Sequence, residues 1–99
     1  MIHMMGLIPN TINESESASF IADQVASLRD APGLIDITVS EGSIMSPGGP
    51  PPFAKIFQAR WKSLGDMMTW TQAQGTGDEG VKFMLQNGAA LIFYEVRAA

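Results

Sequence analysis

Residues 34–61 read LIDITVSEGSIMSPGGPPPFAKIFQARW, and the order of elements turns on them. Leu34 to Glu41 alternates with a period of two: Ile35, Ile37 and Val39 on one side, Asp36, Thr38 and Ser40 on the other. That is a strand. Gly42 to Pro52 holds four prolines and three glycines, which neither a helix nor a central strand accepts, so it is a loop. Phe53 to Trp61 alternates again, with Phe53, Lys55, Phe57, Ala59 and Trp61 on one face and Ala54, Ile56, Gln58 and Arg60 on the other. No helix separates the two strands, so they pair as an antiparallel hairpin with a long tip.

Upstream, Ile2 to Ile8 forms a strand with apolar residues on both faces: Ile2, Met4 and Ile8 against Met5 and Leu7, the latter sharing their side with His3. After Pro9, Asn13 with Glu16 three residues on makes a capping box. Ala18, Ile21, Ala22, Val25 and Leu28 then follow at helical spacing until Pro32-Gly33. Downstream, Ser63 with Asp66 caps a second helix whose stripe is Leu64, Met67, Met68 and Thr71. Gly75 to Gly80 breaks it, and Val81, Met84 and Leu85 give a further short helical turn. Ala89 to Val96 closes the chain as a strand, with Ala90, Ile92, Tyr94 and Val96 opposite Leu91 and Phe93. The expected fold class is α+β: a ferredoxin-like βαββαβ unit with a four-stranded antiparallel sheet, one domain over residues 1–99.

Two helices cover one face of such a sheet. The greasy residues left on the other face would make a patch that soluble monomers avoid, so a second copy is expected to cover it. The expected partner is therefore self, in a homodimer through the open face.

Ten acidic residues against six basic ones give a net charge of −4, and Arg29, Lys55, Arg60, Lys62, Lys82 and Arg97 are scattered. Neither nucleic acid nor an anionic membrane surface is an expected partner. With no cysteine, disulfide and zinc–thiolate chemistry are excluded, and a reducing, cytoplasmic setting is expected. The apolar run from Met1 to Pro9 is too short to span a bilayer and lacks a charged leader.

Two motif matches fail on context. Gly75-Thr76-Gly77-Asp78-Glu79-Gly80 has dinucleotide-loop spacing, but a helix precedes it and two carboxylates sit inside it, so it is a turn. Pro47-Gly48-Gly49-Pro50 matches P-x-x-P, yet it is a hairpin tip.

Five residues are singled out for chemistry. His3, the one histidine, suits acid–base work near neutral pH; its plain reading is a partly exposed strand residue. Asp36 becomes a base if its face is covered and its pKa rises; its plain reading is a salt-bridged carboxylate. These two are the catalytic candidates. Arg60, Trp70 and Tyr94 are the ligand-binding candidates, lining a cavity between sheet and helices. There Arg60 holds an anionic or enolate oxygen, Tyr94 donates a hydrogen bond and Trp70 stacks on a flat molecule. Simple packing is the alternative for all three. No metal site and no cofactor are expected, and one histidine makes a hydrolase triad improbable.

Pro32-Gly33-Leu34 at the turn into the second strand, the Gly/Pro hairpin tip, Trp61-Lys62-Ser63 before an amphipathic helix, and Asp78-Glu79-Gly80 together carry a likeness. Through them the chain resembles the EthD family of the dimeric α+β barrel superfamily. The resemblance implies a homodimer whose two sheets close into a barrel, in a superfamily that includes cofactor-independent monooxygenases and lactone isomerases. Many EthD proteins carry His-x-Pro near the end of the first helix; this chain has Val25 to Asp30 there and no histidine. The function expected is the binding of a small apolar organic molecule, with assistance to its oxidation, isomerisation or cyclisation without a metal. The alternative is a non-catalytic ligand-binding or accessory dimer.

Overall fold

The computed structural model describes residues 1–74 and 79–97. The elements run β1 (Ile2–Pro9), α1 (Glu14–Leu28), β2 (Leu34–Val39), β3 (Phe53–Trp61), α2 (Leu64–Gln74), α3 (Glu79–Asn87) and β4 (Ala90–Glu95). The four strands form one antiparallel sheet in the order β2-β3-β1-β4. This is the βαββαβ arrangement with the last helical stretch in two pieces. Of the turn expected over residues 75–80, residues 75–78 lie outside the described residues and Glu79 and Gly80 belong to α3 instead; the side chains of Val81 and Leu85 also lie outside the described residues. No helix among the described residues is long and apolar enough to cross a membrane.

Paired residues on neighbouring strands share a face. On one face Ile2, Met4, Ile8, Phe57, Ala59 and Trp61 are buried beneath Phe20, Ile21 and Leu28 of α1, Met67 of α2 and Met84 of α3. Phe20 ties the layers together: it meets Phe57 edge-on and stacks on Phe83 of α3 with ring centroids 4.5 Å apart. Gly6 sits opposite Phe57 in β1, and any Cβ there would run into the Phe57 ring. Glycine at this position is what lets the ring lie flat across the central strand.

The caps stand as expected. Asn13 Oδ1 accepts from the Glu16 N–H at 2.8 Å, and Ser63 Oγ accepts from the Asp66 N–H at 3.2 Å. Gly33 takes φ 84°, and the Asp66 side chain occupies the place of its missing Cβ, so the turn into β2 needs glycine twice over.

Three sequence expectations are corrected. The inward stripe of α1 is Ser17, Phe20, Ile21 and Leu28, while Ala18 and Ala22 are exposed. The helix is rotated so that the aromatic ring, with far more area to bury than two alanines, faces the sheet. Among the described residues of α2 only Met67 is buried; Leu64 and Met68 face outward and Trp70 turns in beside Trp61. In β2 a bulge between Leu34 and Asp36 leaves Ile35 unpaired and exposed, so Ile35 does not share the covered face with Ile37.

Candidate functional site

The face away from the helices carries the residues with chemistry. Asp36 of β2 pairs with Arg60 of β3, Arg60 pairs with His3 of β1, and His3 pairs with Tyr94 of β4. These four stand in one row across all four strands, spanning about 14 Å at ordinary strand spacing. The next row is Thr38, Gln58, Met5 and Ile92, and beyond it Ile56, Leu7 and Ala90 follow. The face therefore grades from a polar row to an apolar field centred on Met5, Leu7, Ile56 and Ile92. Ile92 is 44% exposed and Tyr94 39%.

Within the row, Arg60 and Asp36 form a two-pronged ion pair. Arg60 Nε donates to Asp36 Oδ1 at 2.7 Å, and Nη2 donates to Oδ2. The hydrogen bonds from Arg60 hold the Asp36 carboxyl below the usual carboxylate range. Partial desolvation opposes this, and the charges of Arg60 and His3 add to the lowering. The same pair raises the pKa of Arg60. Asp36 thus follows its salt-bridged reading: the raised pKa that would make it a base is absent, because its face is open and its partner is a guanidinium.

At the other end of the row, Gln58 Nε2 lies 2.8 Å from His3 Nδ1 and 3.2 Å from the Tyr94 hydroxyl. Tyr94 Oη is 3.4 Å from the same imidazole nitrogen, and the His3 and Tyr94 rings are 5.3 Å apart at a 57° tilt. Gln58 was not among the residues the sequence singled out. Its position two residues before Arg60 puts it on the same face, but only the β1–β3 register places its amide beside His3.

The expected cavity between sheet and helices, shared by Arg60, Trp70 and Tyr94, does not form from these residues. Arg60 and Tyr94 point from the open face, whereas Trp70 lies on the helix side, its ring 5.8 Å from that of Trp61 and its Nε1–H donating to the Ser27 carbonyl at 3.4 Å. The strand period decides this: Arg60 and Trp61 are consecutive, so they point to opposite faces. An open cleft of about 530 Å³ lies under the β2–β3 hairpin, lined by Asn10, Ile44, Pro51, Phe53 and the Glu14–Lys55 ion pair (3.0 Å). None of the five singled-out residues reaches it. Among the described residues no cluster of three or more His, Asp or Glu is placed to hold a metal ion.

No family model and no curated protein matches the sequence. Solved structures do. An ethyl tert-butyl ether D (EthD) family protein from Bacillus halodurans superposes with a TM-score of 0.67 at 19% identity, covering 98% of this chain and 99% of that one. A cofactor-independent oxygenase from Streptomyces nogalater, SnoaB, gives 0.72 at 12% identity, with 99% and 94% covered. A hydroxynitrile lyase from Passiflora edulis gives 0.68 at 13%, again over 99% and 94%. The fold is the ferredoxin-like one of EthD proteins and their monooxygenase neighbours, and at these identities the likeness speaks for the fold.

Proposed function

We propose that the chain works as an EthD-like homodimer in which the open sheet faces of two copies close on each other around a small, mostly apolar organic molecule. The observation that carries this reading is the open face itself: a hydrogen-bonding row of Asp36, Arg60, His3 and Tyr94 bordering an apolar field of Met5, Leu7, Ile56 and Ile92. A twin sheet hides the field, and the row offers hydrogen bonds to whatever oxygen the ligand carries. Assistance to oxidation, isomerisation or cyclisation without a metal is the chemistry such a chamber suits, and a cofactor-independent oxygenase shares the fold.

A second reading, a non-catalytic binding or accessory dimer, is favoured by one specific feature: Asp36 is committed to Arg60 and is no free base. One measurement tests what the two readings share, and a second separates them. Light scattering at micromolar concentration gives a mass near twice 10.6 kDa under both; a mass near 10.6 kDa overturns both. Incubation with a panel of small aromatic ketones and phenols under air, followed by mass spectrometry, gives a converted product for the enzyme. Binding without conversion identifies the accessory dimer.

A further inference from the structure

We infer that Gln58 fixes the proton of His3 on Nε2, and that the open-face site therefore takes an apolar molecule bearing an oxygen acceptor, such as a carbonyl or an enolate. The Gln58 amide nitrogen has two hydrogens and no lone pair to offer. It stands 2.8 Å from His3 Nδ1 and 3.2 Å from Tyr94 Oη, so it donates one hydrogen to each. Nδ1 then accepts, and the single proton of the neutral ring resides on Nε2, on the far side of the imidazole. The Tyr94 hydroxyl, already accepting from Gln58, finds its 3.4 Å neighbour Nδ1 engaged, which leaves its own proton for another partner.

Arg60, the cross-strand partner of His3, gives Nε and Nη2 to Asp36 and keeps the Nη1 hydrogens. The row thus offers His3 Nε2–H, Tyr94 O–H and Arg60 Nη1–H beside Met5 and Ile92, an arrangement in which donors predominate over acceptors. The Asp36 charge is balanced by Arg60, so the field felt by a ligand is that of hydrogen-bond donors more than of a net cation. An oxygen acceptor on an apolar body fits it. A molecule that must give up a proton to the histidine does not, because Nδ1 is occupied. Gln58 is here a positioning residue, acting through His3. The ligand class rests on the ligand-binding reading above; the tautomer does not.

His3 is the only histidine, so nitrogen NMR on isotope-labelled protein reads its ring without ambiguity. The wild type at neutral pH is expected to show the Nε2–H tautomer. Gln58→Glu, whose carboxylate accepts from Nδ1–H, is expected to show a proton on Nδ1, and Gln58→Leu a mixture. An Nδ1–H ring in the wild type, or a tautomer indifferent to both variants, overturns the inference. Titration with benzophenone and with diphenylmethane, the same body without the oxygen, completes the test. The ketone is expected to bind about tenfold tighter to the wild type, the difference narrowing in Gln58→Glu. Equal binding of the two overturns the ligand class. If the tautomer is as expected and neither probe binds the open face, the ligand class falls together with the binding reading, while the role of Gln58 stands.

Discussion

At the scale of single residues, charge pairing and close approach dominate. The Asp36 carboxyl has a lowered pKa in the folded chain because Arg60 donates to it, so the pair contributes stability above the unfolded pKa. That contribution disappears as the pH falls through the folded value. Asp36→Asn is therefore expected to flatten the acid side of the stability curve. Urea midpoints at about pH 6 and about pH 3 should drop further for the wild type than for the variant, and equal drops would show that the pair exerts no such linkage. Gly6 makes a steric prediction. Its Cβ has no room beside the Phe57 ring, which is itself buried among Met4, Phe20 and Ile8, so Gly6→Ala is expected to cost about 1–3 kcal/mol in urea unfolding.

Among the elements, α1 shows how a helix chooses its face. Turning Phe20 toward the sheet places Ser17 in the core as well, where its Oγ is buried without a hydrogen-bond partner among the described residues. Alanine is the better helix former and has no hydroxyl to desolvate. Ser17→Ala should accordingly raise stability by about 1 kcal/mol, measured as a shift of the thermal midpoint; a loss would mean that the hydroxyl serves a bound molecule in the intact protein. In α2 the same contest is decided by tryptophan: Trp70 packs near Trp61 and anchors through Ser27, and Leu64 and Met68 are turned to the outside.

For the whole molecule, the open face decides behaviour in solution. Met5 lies at the centre of its apolar field, on a strand flanked by both β3 and β4. Met5→Glu puts a charge where the proposed twin sheet docks, and burying an unpaired carboxylate is costly. It is expected to halve the mass seen by light scattering while leaving the circular dichroism spectrum unchanged. Leu64→Glu, on the outer side of α2, is the control and should leave the mass as it was. If both variants keep the wild-type mass, the open face is not the seam.

Much of this architecture is written locally. Alternation in β2 and β3, the caps at Asn13 and Ser63, and the Pro/Gly-rich tip after β2 each state their element within a few residues, because dihedral preference and hydrogen-bond capping are short-range effects. The element order follows from them, and so does the presence of His3, Asp36, Arg60 and Tyr94 as polar residues in strands. What their neighbours would be depended on pairing register, which joins residues as far apart as His3 and Tyr94 and is set by packing of the whole sheet. Register put the four in one row, brought Gln58 to His3 and gave Asp36 its guanidinium. Only the tertiary structure could decide these, because contacts between distant strands are settled by which faces bury the most surface together, and no short stretch of chain carries that sum.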